Sequence, residues 1–364
     1  MTTTTLPTRR EMQRAYLHSD ASYDGVFFLA VRTTGIFCRP SCPARKPLPA
    51  NVEYYATPAD ALRAGYRACR RCRPLDTDGR PPAWVRGLLT HIEQSPESPL
   101  RDTDLRTRAI NPARARRYFQ EHYGMTFQAY QRAARLSVAL HQIRDGVDLT
   151  GVAFDHGYES NSGFRDAFER VFGKTPGRSR AANCIVTDLA ESPLGPLLIC
   201  ATPAALCLLE FTDRRAFQAQ LKALRERFGC AVVPGRNALV EQLRSELAEY
   251  FAGRRRAFSV PLDYPGTPFQ RAVWSQLLKI PYGETISYEE LARRVGRPGA
   301  QRAVGLANGR NRIGIVIPCH RVVNKSGQLG GYGGGLWRKR FLLDLERRVM
   351  TAARPPTTPV LTAR

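Results

Sequence analysis

The spacing of apolar positions changes several times along the chain. From Pro82 to about Arg180 apolar residues recur every three or four positions, as in "ARRYFQEHYGMTFQAYQRAARLSVALHQI", which predicts an all-α segment. Residues 185–262 instead mix short apolar runs such as "PLLICATPAALCLLEF" with the helical stretches "RRAFQAQLKALRERF" and "LVEQLRSELAEYFAG", the pattern of a small α/β subdomain. From Thr267 the order is helix, "IPYGET" turn, helix, and then a helix of small residues, "AQRAVGLAN". The β-branched run Ile313 to Ile317 predicts a short buried strand that Pro318 stops, leaving Cys319 at its end and His320 on the opposite face.

Turn formers punctuate these regions. "RPLDTDGRPP" and "GKTPGRSRAANC" place breaks near residues 78 and 182. The expected segments are 1–78, 82–180, 184–264 and 265–350, with a Pro/Thr-rich tail over 351–364 that composition predicts to be disordered. The fold class that follows is multidomain α+β.

With 364 residues, 43% of them hydrophobic, the chain can build several cores. Its 55 basic residues against 32 acidic ones give a net charge of +23, a footprint for a polyanion such as nucleic acid. No run reaches the roughly 18 apolar residues of a membrane span, and "MTTTTLPTRREMQ" lacks a secretory core, so the expectation is a cytoplasmic protein without a membrane partner. In that reducing compartment the nine cysteines are expected as thiols or metal ligands.

Four of them are paired. Cys38 and Cys42 in "GIFCRPSCPARKP", with Cys69 and Cys72 in "GYRACRRCRP", have the spacing of a tetrahedral Zn2+ site in which each turn supplies two thiolates. Around them lie Arg39, Arg45, Lys46, Arg67, Arg70, Arg71 and Arg73, either a solvated rim or a phosphate-binding surface beside electron-rich sulfurs. Cys184, Cys200, Cys207 and Cys230 lack such pairing and read as small hydrophobes.

"RTTGIFCRPSCPARKP", "NVEYY" and "GYRACRRCRP" resemble the amino-terminal domain of the Ada-type adaptive-response family, over most of residues 10–76. The resemblance implies that Cys38 accepts a methyl group from DNA methyl phosphotriesters while Cys38, Cys42, Cys69 and Cys72 hold zinc, with Arg39, Arg45 and Arg71 toward the DNA. "GYESNSGFRDAFERVFGKTP" resembles the second helix-turn-helix of AraC-type regulators, with Asn161, Ser162 and Arg165 as candidate base contacts. An earlier unit through "DTDLRTRAINPARARRYFQEHYG" starts a helix at Asn111 and Pro112, and would present Arg114, Arg116 and Arg117.

The segment Thr267 to Glu346, with "ISY", "PCHRVV" and "GGLWRKRFLLDLE", resembles the O6-alkylguanine-DNA alkyltransferases, whose catalytic domain is winged-helix-like. That resemblance implies Cys319 as acceptor, His320 as base through a water, Glu346 orienting the imidazole, Asn311 holding the preceding turn, and Tyr288 and Arg302 handling the flipped nucleotide. The combined expectation is a bifunctional DNA repair protein and transcriptional regulator, a single-use cysteine methyltransferase acting as a monomer on alkylated DNA and promoter sites and contacting RNA polymerase at the nucleoid. Two alternatives are a zinc-dependent regulator with an inactive alkyltransferase region and, from Cys319 and His320, a cysteine hydrolase.

Overall fold

The structure, a computed structural model, describes residues 6–76, 81–178, 184–214, 216–228 and 230–352. The breaks expected near 78 and 182 lie outside the described residues, as does the tail from residue 353 onward. The chain forms two compact units, residues 1–241 with 261–263, and residues 242–260 with 264–364.

The first unit begins with helix α1 (Arg9–Leu17) and strands β1 (Phe28–Val31), β2 (Ile36–Cys38), β3 (Val52–Tyr55) and β4 (Arg67–Ala68), with α2 (Pro58–Arg63) between the last two. The sheet order is β3-β1-β2-β4; β1 runs antiparallel to β2 and β3, and β4 parallel to β2. Alternation along β1 sends Phe28 and Ala30 to one core with Phe37 and Ala61, and Leu29 to another with Tyr16, Val52 and three of the paired cysteines.

Helices α3 (Ala83–Gln94), α4 (Asp102–Thr107), α5 (Pro112–Tyr123), α6 (Phe127–Arg144), α7 (Leu149–Asp155) and α8 (Asn161–Phe172) follow. Side chains start them: Asn111 caps α5, Asp148 caps α7 and Ser160 caps α8, each accepting from backbone N–H groups that the helix cannot satisfy itself. The pairs α4–α5 and α7–α8 are the two helix-turn-helix units, joined by α6. The second turns through Gly157 at φ 70°; the first uses Ala109 at φ 56°, a left-handed conformation that a Cβ disfavours.

A mixed sheet comes next: β5 (Ile185–Ala190), β6 (Leu197–Ala201) and β7 (Leu206–Phe211) form an antiparallel meander, and helix α9 (Phe217–Phe228) returns the chain to β8 (Val232–Pro234), parallel to β5. This sheet does not have a core to itself. Ile185, Leu198, Leu208, Phe217 and Leu221 share one apolar cluster with Val85, Leu88, Phe119, Tyr123 and Tyr130 of the helical segment. Polar contacts edge the seam: Gln218 Nε2 donates to the Gln120 and Glu121 carbonyls at 2.8 Å, and His122 Nδ1 lies 3.2 Å from Thr212 Oγ1.

Helix α10 (Ala238–Phe251) leads into the second unit, which contains α11 (Pro268–Leu277), β9 (Ile286–Ser287), α12 (Tyr288–Arg294), α13 (Gln301–Gly309), β10 (Val322–Val323) and α14 (Leu336–Ala352). Thr351 and Ala352, expected in the tail, continue α14. The α12–α13 pair is a helix-turn-helix, and β9 and β10 make a short parallel ladder beside it. Trp274 Nε1 donates to the Ala307 carbonyl at 2.9 Å and fixes α11 on α13.

Residues 313–317 are not the expected strand. Ile313 makes one isolated bridge, Ile315 stands at φ 70°, and the chain closes on itself through Ile317 N–H to the Ile313 carbonyl (3.0 Å) and Val316 N–H to the Gly314 carbonyl (2.8 Å). The β-branched run reports burial, since Ile313, Ile315, Val316 and Ile317 are all buried, but the Asn311 amide serves the backbone that a neighbouring strand would otherwise pair. Cys319, His320 and Arg321 then form a single 3-10 turn, so the opposite-face relation expected of Cys319 and His320 in a strand does not apply.

Candidate functional site

In the first unit the β2–β4 register aligns Phe37 with Ala68, so Cys38 at the end of β2 and Cys69 just past β4 come side by side. The turn Cys42 N–H to Arg39 carbonyl (3.0 Å) brings Cys42 back, and Arg73 N–H to Cys69 carbonyl (2.9 Å) closes the second pair. All four sulfurs lie within 4.8 Å of one another. Four sulfurs at about 2.3 Å from one centre stand about 3.8 Å apart, so the set fits tetrahedral zinc. As bare thiols they compete for protons: hydrogen bonds from Cys42 and Cys72 push Cys38 up, while those from Cys38 and Cys72 draw Cys42 down. A divalent cation removes that competition by making all four acceptable as thiolates.

Arg45 and Arg71 are exposed near these sulfurs in sequence, Arg39 is half-buried against Asp24, and Lys46 Nζ is tied to the Cys42 carbonyl at 2.9 Å. In the helical region Asn161, Ser162 and Arg165 are exposed at the start of α8, although Asn161 Nδ2 donates to Thr150 Oγ1 at 3.3 Å and Ser162 bonds Ser160 at 3.1 Å. Arg114 lies over the Trp84 ring at 5.0 Å, while Arg116 and Arg117 are exposed.

In the second unit the structure brings Cys319, His320, Glu346 and Asn311 together. His320 Nε2 is 2.9 Å from Glu346 Oε1, both side chains being fully buried. With Nε2–H donated to that carboxylate, Nδ1 is the basic nitrogen; it is buried without a hydrogen-bond partner. Burial lowers the His320 pKa, and the Glu346 bond opposes that. Burial alone would raise Glu346, but His320 and Arg321 outweigh it and hold the carboxyl well below the usual range. Asn311 Nδ2 donates to the Ile317 carbonyl (2.9 Å) and to Cys319 Sγ (3.2 Å), so one amide fixes the turn and faces the sulfur.

Three residues here escaped sequence reasoning. Arg321 bonds Glu346 through Nε (2.9 Å) and NH2 (2.9 Å) and the Ile280 carbonyl through NH1 (2.7 Å), while the Tyr250 hydroxyl donates to Glu346 at 2.7 Å. Lys339 is wholly buried, donates to the Val322 carbonyl at 2.5 Å, and has its pKa lowered to about 8, burial outweighing the opposing effect of Cys319. A lysine within the apolar face of a helix, and an arginine flanked by "CH" and "VV", were the available signals.

A cleft of about 630 Å³ in the second unit is lined by Tyr288, Arg302, Gly305, Asn324, Gly331 and Tyr332. Tyr288 is half-buried and its hydroxyl donates to the Gly331 carbonyl at 3.4 Å; Arg302 is exposed on α13. A Cβ on Gly330 would stand 2.7 Å from the Tyr288 ring, so any other residue there has to displace the outer edge of that ring.

Family profiles match the chain in four successive pieces: "Metal binding domain of Ada" over residues 11–75, "Helix-turn-helix domain" over 106–182, and "6-O-methylguanine DNA methyltransferase" as its ribonuclease-like domain over 185–264 and its DNA binding domain over 268–348. The "Bifunctional transcriptional activator/DNA repair enzyme Ada" of Escherichia coli is 35% identical over 341 residues, 92% of this chain and 95% of that protein. The chain belongs to the Ada family. The "Regulatory protein ada" of Salmonella typhimurium is 34% identical over 90% of this chain and 93% of its own length. A "Methylated-DNA--protein-cysteine methyltransferase" of Mycobacterium leprae is 47% identical over 44% of this chain and 93% of its own. Like its Ada relatives the chain is a DNA-binding protein with a zinc cofactor, and among the described residues no helix is long and apolar enough to cross a membrane.

Proposed function

We propose that the protein repairs alkylated DNA by irreversible methyl transfer to two of its own cysteines and that one transfer turns it into a transcriptional activator. The observation that carries the repair reading is the buried set around Cys319: Asn311 at its sulfur, and His320 held by a Glu346 whose charge is fixed by Arg321, Tyr250 and the Gly283 N–H. His320 Nδ1 takes the thiol proton through a water, the Cys319 sulfur forms a bond to the O6-methyl carbon of guanine as the O–C bond breaks, and the departing base takes up a proton. O4-methylthymine offers the same bond. The lesion must leave the duplex to be reached, and the cleft lined by Tyr288 and the exposed Arg302 is the space that would receive it. No step restores the thioether, which distinguishes this chemistry from hydrolysis by Cys319 and His320.

In the first unit Cys38, Cys42, Cys69 and Cys72 would hold zinc, which keeps the thiolates deprotonated at neutral pH. The Cys38 sulfur takes the methyl group of a phosphotriester and a phosphodiester anion leaves. The cluster's net charge then changes from two minus to one minus, which reduces repulsion of the DNA backbone and tightens binding by Arg45, Arg71 and the helix-turn-helix units, with Asn161, Ser162 and Arg165 toward the bases. Segments 1–78, 82–180, 184–264 and 265–350 would divide these roles. Activation requires RNA polymerase, and one chain carries both acceptors and both reading heads, so a monomer at the cytoplasmic nucleoid suffices.

Intact-mass and peptide mapping after incubation with O6-methylguanine duplex, and separately with methyl phosphotriester DNA, tests the reading. One methyl on Cys319 from the first and on Cys38 from the second is expected. An unmodified Cys319 beside a methylated Cys38 would leave a damage-sensing regulator.

A further inference from the structure

The spacer between the first two paired cysteines holds Arg39, Pro40 and Ser41, and a single carboxylate reaches both of its polar side chains. Asp24 Oδ1 accepts the Ser41 N–H at 3.0 Å, its Oδ2 accepts the Ser41 hydroxyl, and Arg39 NH1 lies 3.7 Å from the same Oδ2. Asp24 is well shielded, at 17% side-chain exposure, and Arg39 is 31% exposed with its Nε buried and without a hydrogen-bond partner. The guanidinium is thus set beside an anion at its inner edge and open to solvent elsewhere. Ser41 cannot move without breaking two hydrogen bonds to Asp24, so the carboxylate stays next to Arg39 whatever the exposed rim does.

The spacer's charge has a direct consequence for DNA. Arg39 adjoins the methyl acceptor in sequence, where a phosphate must come for transfer, yet its charge is offset by Asp24. Arg45 and Arg71, by contrast, are exposed without any such carboxylate partner among the described residues. We propose that Asp24 is a positioning residue that holds and neutralises Arg39 at the zinc face, keeping the grip on unmodified DNA weak and so widening the contrast that methylation of Cys38 produces. The inference rests on the methyl-switch reading above and adds to it the group that sets the resting level.

The full-length, zinc-loaded protein is compared as wild type, Asp24→Asn, and the double variant Asp24→Asn with Arg39→Gln, zinc content being measured for each. Asparagine removes the charge and keeps one oxygen to accept the Ser41 N–H, while its NH2 can donate to the Ser41 hydroxyl in place of the oxygen that accepted from it. The readout is the slope of log affinity against log salt for unmodified duplex DNA, which a merely structural role would not raise. Asp24→Asn is expected to bind several-fold tighter at low salt, with the slope steeper by about 0.9, the equivalent of one additional phosphate contact. The double variant, which removes both charges together, is expected to return to the wild-type slope. An unchanged or shallower slope in a zinc-loaded Asp24→Asn protein overturns the proposal. So does a single Arg39→Gln protein, made beside them, whose slope is about 0.9 shallower than wild type, because Arg39 would then already be engaging phosphate; this arm keeps Asp24 and stands even if Asp24→Asn does not fold. In parallel, wild type methylated at Cys38 is titrated with the same DNA. If methylation leaves its affinity unchanged, the switch reading fails, whatever the slopes of the variants show.

Discussion

Lys339 shows how one buried charge can be set against another. Burial disfavours the charged form of a lysine with no exposed surface, and the nearby Cys319 favours it. Its folded pKa of about 8 lies below the 10.5 of a free lysine, so between those limits the unfolded chain binds more protons and stability rises with pH. Lys339→Met should abolish that rise, worth up to about 3 kcal/mol, as measured by urea titrations from pH 7 to 10.5. It should also slow alkylation of Cys319 at pH 7 on the order of tenfold, because an ammonium that favours the thiolate is gone. Glu346 works in the other direction: its depressed pKa contributes stability that is present above about 4.5 and is lost as pH falls below it. At the other end of the chain, Ala109→Gly should raise unfolding free energy by about 0.5–1 kcal/mol, since φ 56° suits glycine and strains alanine.

Among elements, legibility followed the kind of signal each segment carries. Caps were readable because Asn111 and Ser160 act within three residues of themselves, and the paired cysteines were readable because their ligand spacing is local. The 313–317 segment misled because β-branching reports burial as readily as extension, while what decides its path is the Asn311 side chain bonding up to eight residues ahead. Arg321, Tyr250 and Lys339 could not be assigned from spacing, since their partners lie 25, 96 and 17 residues away. The zinc element is separable by test. Chelation should loosen the β2–β4 end, where Cys38, Cys42 and Cys72 are part of the core beneath β1, and abolish transfer to Cys38. Transfer to Cys319 should persist, as peptide mapping of the chelated protein would show.

On the scale of the molecule, the helical segment and the mixed sheet that follows it share one apolar cluster. Their sequences gave no hint of this, because each has enough apolar residues for a core of its own. A protease site placed in residues 179–183 and cut under native conditions should therefore leave the two fragments together on gel filtration. Leu221→Asp, which puts a charge beside Gly124 and inside the shared cluster, should make them part. Fragments that separate in the unsubstituted protein would show that the seam does not hold them.

The glycine under the Tyr288 ring limits how this protein can vary through time. Every single-nucleotide change in a glycine codon that swaps the residue adds a Cβ, and at position 330 that carbon would sit 2.7 Å from the ring carbon Cε2. Positions 288 and 330 are therefore coupled through time: a side chain gained at 330 has to push the outer edge of the tyrosine aside or follow a smaller residue at 288.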